Sequence, residues 1–461
     1  MLIRFNVKNF LSFCEREDGR TEEFSMIAGK VRSKREHLYD NGKIKLLKFA
    51  AVYGANASGK SNLVKALGFM RQIVVNGLPE GSTDMYCRIS EENKNKESYF
   101  EVEIMIDEKY YAYGFEVILS QGKFVSEWLI ELLGDNKEKV IFNRDIGNGT
   151  YEFGNELREE ELINRLNIYA EDIKEDSSAL LLSIMNQNKK KLYHQYERAA
   201  VFQKVYLWMR NELDINYPDR PISDYSYMAE TDNVEQVCNM ISAFGTGITG
   251  FKMVDVPVET VISNLPKEVR DKLVSDIKKK STEMSQKAEI KGIGIVMRSN
   301  HDFFILNIDK EADITCKTIQ FSHGKENVLF NLSEESDGTV RVLDLLEVLL
   351  SEEGKTYVID ELDRCLHPAL TCKFVDIFLK MAAQKNIQLI VTTHESRLLN
   401  LDLLRRDEIW FVNKRKSGES DIYSLEEYNT RFDQKIDKAY LEGRYGGVPV
   451  FSTVFPVKEE V

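Results

Sequence analysis

The stretch Leu47-Lys48-Phe49-Ala50-Ala51-Val52-Tyr53-Gly54-Ala55-Asn56-Ala57-Ser58-Gly59-Lys60-Ser61 runs from a short apolar segment into a loop bounded by glycines. Leu63, Leu67, Met70 and Val74 follow at helical spacing, so 62–75 reads as a helix. Strand, loop and helix form the context that G-x-x-x-x-G-K-[ST] requires, and Gly54 to Ser61 fits that pattern. The glycines let the backbone turn tightly, so that successive N–H groups point at a phosphate. The positive end of the following helix adds to the attraction. In this reading Lys60 reaches the outer phosphates and the Ser61 hydroxyl ligates Mg²⁺. A chance match on a surface turn is the competing reading.

The far half of the chain repeats the pattern of apolar strand and helix. Val340 to Leu350 suits a buried helix, Thr356 to Ile359 a buried strand, and Ala369 to Met381 a helix. Gln388 to Thr392 and Ile409 to Val412 are two further apolar strands. Buried strands separated by helices predict a mostly parallel sheet covered on both faces. The near half differs. Residues 1–13 alternate apolar and polar, as an edge or lobe strand does. Phe100, Val102, Ile104 and Ile106 alternate, then Tyr111, Tyr113, Phe115 and Val117. Asp107-Glu108-Lys109 joins the two runs, which predicts a β-hairpin, and 122–153 stays strand-like. Residues 156–215 are charged and helix-prone and read as an insertion. A second lysine-rich helical stretch is expected at 265–290, and strands resume at 292–320. No internal repeat or low-complexity segment is visible.

Two further signals lie at strand ends. Asp360-Glu361 closes the run Tyr357-Val358-Ile359, where Asp360 suits a metal ion and Glu361 suits activation of water. An acidic pair at a strand end is also an ordinary cap, and the pair alone does not separate the two. His394 ends Thr392-Thr393-His394, where it can hydrogen-bond a terminal phosphate; a lone histidine is more often structural. Together they gain meaning. All three signals fall at carboxyl ends of expected parallel strands, where open α/β sheets bind ligands. Lys60 and Asp360 lie 300 residues apart, so a large insertion divides one site.

Composition bounds the partners. The chain has 461 residues, 43% apolar and 10% aromatic, which suits about three domain-sized units. Its 62 basic and 75 acidic residues give a net charge of −13, so contact with nucleic acid needs a local patch. Lys189-Lys190-Lys191 reads as a solvated face before it reads as such a patch. Six cysteines, none in C-x-x-C spacing, predict neither a disulfide framework nor a zinc finger, and place the chain in the cytoplasm. No run approaches ~18 uncharged apolar residues, so no membrane partner is expected.

The residues carry a resemblance. Ile3 to Phe13, the phosphate loop, Asp360-Glu361-Leu362-Asp363 and His394 resemble the ABC-type ATPases of the SMC, RecF and OLD kind. Leu332 to Thr339 stands where that family places its signature motif; Ser336 and Gly338 match, whereas Asp337 and the loop's Ala57 replace glycines. Glu335 to Arg341 and Tyr440 to Pro449 resemble a bacterial branch of stand-alone ATPases. That branch includes those paired with RloB-type proteins, the AbiL systems and the AriA subunit of PARIS, which guard bacteria against phage.

The resemblance implies an α/β ABC-type ATPase head with a mixed or parallel sheet, an antiparallel β lobe and a helical insertion. The expected parts are 1–155 (phosphate loop and lobe), 156–230 (insertion), 231–320 (β and helix extension) and 321–461 (signature, acidic pair, histidine and C-terminal element). It implies ATP and Mg²⁺ as cofactors. Gly54, Ala55, Asn56, Ala57, Ser58, Gly59, Lys60, Ser61 and Asn62 would bind nucleotide from one subunit, and Ser336, Gly338 and Asp363 from the other. Ser61 and Asp360 would hold the metal, and Glu361, His394 and Lys60 would act on the phosphate. Two ATPs would be sandwiched in a head-to-tail homodimer, with slow hydrolysis as a switch controlling a separate nuclease or toxin. The alternative is a RecF-like clamp on nucleic acid, using Lys189 to Lys191 and Lys278 to Lys280. A third reading is a module that binds nucleotide without hydrolysing it.

Overall fold

The computed structural model describes residues 1–134, 137–229, 231, 233–263, 267, 270–271, 275, 292–299, 301–309, 314–324, 328–428 and 436–446. These form two compact units. The first comprises Met1–Ile215, Glu352–Leu362 and Cys372–Val461; the second comprises Asn216–Ser351 and Asp363–Thr371.

In chain order the first stretch holds β1 (Leu2–Lys8), β2 (Glu22–Ser25), β3 (Leu38–Asp40), β4 (Lys45–Leu47), β5 (Phe49–Tyr53) and α1 (Lys60–Asn76). Then come β6 (Ser98–Ile106), β7 (Lys109–Ile118), β8 (Lys123–Gly134), β9 (Lys137–Asp145) and β10 (Thr150–Phe153). Helices α2 (Glu160–Glu171), α3 (Leu181–Met185), α4 (Lys190–Gln195) and α5 (Ala200–Leu207) precede β11 (Leu213–Asn216). The next stretch runs α6 (Ser226–Ala229), α7 (Val234–Ala243), β12 (Ile248–Val256), α8 (Val258–Ser263), β13 (Gly292–Arg298), β14 (Phe303–Asp309), β15 (Ile314–His323), β16 (Leu329–Asn331) and α9 (Asp337–Leu350). It closes with β17 (Thr356–Ile359), α10 (Pro368–Ala382), β18 (Gln388–Thr392), β19 (Ile409–Lys414), β20 (Ser420–Ser424) and α11 (Ile436–Leu441).

The first unit contains two large sheets. The antiparallel lobe has the order β10-β9-β8-β7-β6-β1-β2. The expected hairpin is β6–β7, and Asp107 and Glu108 at its tip both have positive φ (50° and 61°), the twist a two-residue turn requires. β1 lies between β6 and β2, so it belongs to the lobe and is not an edge. The four-residue β2 that covers it is too short to show alternation in sequence.

The second sheet has the order β11-β17-β18-β5-β19-β20. β17, β18, β5 and β19 run parallel, and β20 is antiparallel to β19. Every residue of β5, β17 and β18 is buried, which explains their unbroken apolar runs. Thr356, Gln388 and Thr392 are the polar exceptions, and Gln388 is an amide. Its Oε1 accepts from Leu2 N (2.6 Å) and Thr356 Oγ1 (3.1 Å), and its Nε2 donates to the Leu2 and Leu47 carbonyls (2.9 and 3.0 Å). A fully satisfied buried amide fixes β1 against the start of the parallel strands.

The helices at 160–207 are held by another buried polar cluster. Arg144 on β9 is fully buried and donates to the carbonyls of Ala179 (2.8 Å), Asp176 (2.6 Å) and Ile173. Glu127 on β8 accepts the N–H groups of Leu181 (2.6 Å) and Leu182 (3.0 Å) and the Tyr113 hydroxyl (3.0 Å). Burial pushes the Glu127 carboxyl up, and the two backbone donors and Arg144 oppose it.

In the second unit an antiparallel sheet runs β12-β15-β14-β13, with β16 on β15. The strands expected at 292–320 are β13, β14 and most of β15. The helical stretch expected at 265–290 lies almost wholly outside the described residues. One expectation is corrected: Cys14 and Cys87 form a disulfide, with Cα atoms 5.6 Å apart. Seventy-three residues separate them, so only folding brings them together. Cys238, Cys316, Cys365 and Cys372 are free thiols. Among the described residues no helix is long and apolar enough to cross a membrane.

Candidate functional site

Three neighbouring strand ends of the first unit build the site. β5 lies between β18 and β19, and β17 lies beyond β18. In register, Ile359 faces Val391 and Val391 faces Ala51. Because the strands are parallel, the segments that follow them leave one edge of the sheet. Those segments are the Gly54–Ser61 loop, Asp360-Glu361 and Thr393-His394. The separation of 300 residues is thus closed by two strand pairings.

The loop has the shape that its sequence requires. Ala57 and Gly59 take positive φ (61° and 113°), and α1 begins at Lys60. A Cβ at Gly59 would strike the Ser420 and Ser12 hydroxyls, and one at Gly54 would strike Ser58 Oγ and the Val412 carbonyl. Lys60 is buried, and its ammonium donates to the carbonyls of Gly54 (2.8 Å) and Ala55 (3.1 Å). Asn62 Nδ2 donates to Ser12 Oγ (2.7 Å), and Ser420 Oγ donates to the Ser58 carbonyl (2.6 Å).

The acidic pair is tied to the histidine strand through one hydroxyl. Thr392 Oγ1 donates to Asp360 Oδ1 (2.5 Å) and accepts the Glu361 N–H (2.8 Å). The Leu362 N–H donates to the Thr392 carbonyl (3.0 Å). Glu361 has φ of +53°, a strained conformation for a side chain with a Cβ. Such strain persists where surrounding bonds over-determine it, and Thr392 supplies them. Asp360 is buried, Glu361 half-buried and His394 exposed.

Three residues of the site were not legible as such in sequence. Ser420 lies on the antiparallel β20. Ser12 and Tyr440 lie in segments that resemblance had marked without giving them contacts. Tyr440 of α11 hydrogen-bonds the Gly54 backbone, and its ring stacks on Phe411 and meets Tyr53 edge-on. His367 Nδ1 accepts the Ala369 N–H (3.2 Å) at the start of α10, a capping role. Lys189 sits over the Tyr169 ring at 4.3 Å, and Lys278 to Lys280 lie outside the described residues.

Ser336, Gly338 and Asp363 belong to the second unit. Ser336 caps α9, its Oγ accepting the Thr339 N–H (3.1 Å). A Cβ at Gly338 would come within 2.9 Å of the Cys365 carbonyl, so glycine lets the segment after Leu362 pack against the start of α9.

The donor set fits a magnesium nucleotide. Backbone N–H groups turned by Ala57 and Gly59, together with a lysine, suit phosphate, and a hydroxyl and a carboxylate suit a hard cation. Ser61 and Asp360 are the residues that could hold Mg²⁺. Among the described residues no group of three or more His, Cys, Asp or Glu forms a protein-only metal cage.

A family described as "AAA domain, putative AbiEii toxin, Type IV TA system" matches residues 49–192 and 259–400. No curated protein matches the sequence. Among solved structures, an Smc head bound to the C-winged helix domain of ScpA is 14% identical, with a TM-score of 0.40, covering 92% of this chain and 97% of its own. The SMC head domain from Thermotoga maritima is 13% identical with a TM-score of 0.34, covering 92% and 98%. An Smc head with an extended coiled coil, bound to a ScpA domain from Pyrococcus furiosus, is 16% identical with a TM-score of 0.36, covering 92% and 97%. The family match takes in β5, the phosphate loop, the acidic pair and His394 across more than half of the chain, and the chain belongs to this AAA-domain family.

Proposed function

We propose that the protein binds Mg–ATP at the β5–β18–β17 edge and hydrolyses it slowly, as a nucleotide-driven switch of ABC type. The observation that carries this reading is the Thr392 hydroxyl, which joins Asp360, Glu361 and the strand leading to His394 beside the phosphate loop. Bound Mg²⁺ would supply charge stabilisation to the phosphates. Loop N–H groups and Lys60 hold the phosphates, Ser61 and Asp360 hold the cation, and Glu361 orients and deprotonates water. His394 would hydrogen-bond the terminal phosphate and register its loss.

Ser336 and Gly338, at the start of a helix, serve as the second half of a sandwich made by two copies of the chain. Contacts that ATP makes and ADP lacks bias the closed dimer. The biological role we infer is a cytoplasmic sensor of a phage-defence system that restrains or releases a separate nuclease or toxin. The family's toxin–antitoxin description supports that direction. The clamp alternative has less behind it, given a net charge of −13 and Lys189 packed on Tyr169.

The test is the solution mass of Glu361→Gln with and without Mg–ATP, beside ATP turnover of the unmutated protein. A larger assembly with ATP and loss of turnover in the variant are expected. Unchanged mass together with unchanged turnover in the variant would overturn the reading. Salt-sensitive, ATP-dependent binding of duplex DNA would favour the clamp.

A further inference from the structure

The Cys14–Cys87 bond fastens the turn that follows β1. Within that turn Asn9 and Leu11 take positive φ (53° and 51°), a strained conformation for leucine. The segment at 82–98 grips it in this shape. The Leu11 N–H donates to the Met85 carbonyl (2.8 Å), and Asn9 Oδ1 accepts the Cys87 N–H (3.1 Å). Asn9 Nδ2 donates to the carbonyls of Asn93 (2.9 Å) and Lys96 (3.0 Å), and Asn93 Nδ2 donates to the Cys87 carbonyl (2.9 Å). The disulfide is the covalent member of that grip.

The same turn carries Ser12 against the phosphate loop. The Ser12 carbonyl accepts the Ser420 N–H (2.8 Å), and Ser12 Oγ accepts from Asn62 Nδ2 (2.7 Å). Ser12 Oγ also lies 2.8 Å from Ser420 Oγ, which donates to the Ser58 carbonyl (2.6 Å). Gly59 packs so close to both hydroxyls that a Cβ there would strike them. Two residues therefore separate a cleavable bond from a hydroxyl that holds the loop at Ser58, Gly59 and Asn62.

The bond can be reached. Cys14 lines a hollow of about 310 Å³ together with Ser90, Asn93 and Glu419, and Glu15, Glu17 and Ile89 on its wall are exposed. Cys87 is fully buried, so an incoming thiolate meets the Cys14 sulfur. The other four cysteines are free thiols, and Cys365 among them is exposed. An exposed free thiol fits a compartment that keeps thiols reduced, where disulfides are transient and redox-sensing. Burial pushes the Cys238, Cys316 and Cys372 thiols up, which leaves them unreactive.

We propose that Cys14–Cys87 is a reversible redox switch, opened by a dithiol reductant at the Cys14 hollow, and that opening it lowers the affinity of the phosphate loop for Mg–ATP. The proposal rests on the reading of that loop as an ATP site. One thiolate of the reductant attacks Cys14 Sγ, the S–S bond breaks, and Cys87 leaves as a thiolate with the electron pair. The second thiol attacks the mixed disulfide and releases Cys14 as a thiolate. The dithiol ends as a disulfide, and its two electrons and two protons end on Cys14 and Cys87. Hydrogen bonds alone then hold the strained turn, Ser12 loses its fixed place, and the loop is less pre-organised for phosphate.

The experiment compares Mg–ATP affinity of the full chain, oxidised and after dithiothreitol, by calorimetry well below the melting temperature of the reduced form. Alkylation and intact mass count the opened cysteines. Dithiothreitol should open the bond in the native protein. The dissociation constant should then rise about three- to tenfold, the equivalent of one hydrogen bond, and return on reoxidation. Cys14→Ser should sit at the reduced value with or without reductant. Ser12→Ala keeps the bond but breaks its link to the loop, so it should bind weakly in both states. The same response should persist in Cys365→Ser. A bond that opens only in denaturant would overturn the proposal, and so would equal affinity in the two redox states while Lys60→Ala abolishes binding. Absence of Mg–ATP binding in either state would remove the ATP reading and the switch together.

Discussion

Thr392→Val isolates the hydroxyl that joins the acidic pair to the histidine strand. The two side chains have nearly the same shape, and Thr392 is buried on an all-buried strand, so packing changes little. Two interactions vanish: the bond to Asp360 Oδ1 (2.5 Å) and the acceptance of the Glu361 N–H (2.8 Å). The first is charge-assisted and contributes about 1.5–3 kcal/mol; leaving the half-buried Glu361 N–H without its acceptor costs about 1 kcal/mol, the low end for an unsatisfied donor. The two overlap, and about 3 kcal/mol is a fair sum. Part of it falls on stability, as a lower melting temperature. The rest falls on function, because Glu361 keeps a positive φ only while the bonds around it hold. Losing a partner that orients a metal-binding carboxylate lowers metal affinity or activity about 10–100-fold. The assay is steady-state ATP turnover across a Mg²⁺ titration, with a melt of each variant. Thr392→Ser keeps the oxygen and should recover most of the turnover. Unchanged turnover and Mg²⁺ dependence in a folded Thr392→Val protein would refute the assignment of Asp360 and Glu361.

Two predictions concern the frame around the site. Burial pushes the Glu22 carboxyl up to about 7, opposed by its acceptance of the Ile422 N–H. The folded chain therefore holds this proton to higher pH than the unfolded chain, so stability falls as pH rises from about 4.5 to about 7 and levels off above; the shift corresponds to roughly 3 kcal/mol. Glu22→Gln should flatten that slope, matching the parent near pH 4.5 and exceeding it at pH 8 in denaturant titrations, and a parallel pH profile would count against the burial argument. The Cys14–Cys87 bridge closes a loop of 73 residues, for which chain entropy gives about 4 kcal/mol. Reductant should lower the denaturation midpoint of the parent and leave Cys14→Ser unmoved; equal sensitivity in both would show that the bridge does not contribute.

Much of the site could be read locally. A phosphate loop is a run of eight residues whose glycines and lysine have fixed jobs, and its flanking strand and helix carry their own periodicity. Asp360-Glu361 and His394 were visible as polar ends of apolar runs, because buried parallel strands must be apolar until they reach the sheet edge. The antiparallel lobe was legible for the same reason, since alternation records a sheet with unlike faces. The second lysine-rich stretch expected at 265–290 lies almost wholly outside the described residues, and the disulfide went against an expectation built on cysteine spacing.

The sequence by itself determined the longer buried strands and helices of the parallel sheet, the β6–β7 hairpin, and the position of the glycine loop, the acidic pair and His394 at strand ends. Those properties follow from local sterics and from the period of side chains along the chain. Tertiary structure alone decided that Thr392 orients both acids, that Ser12, Ser420 and Tyr440 brace the phosphate loop, and that Cys14 meets Cys87. Each of these depends on which strands become neighbours and in what register. That choice is made by the burial of the whole sheet, and no window of sequence records it.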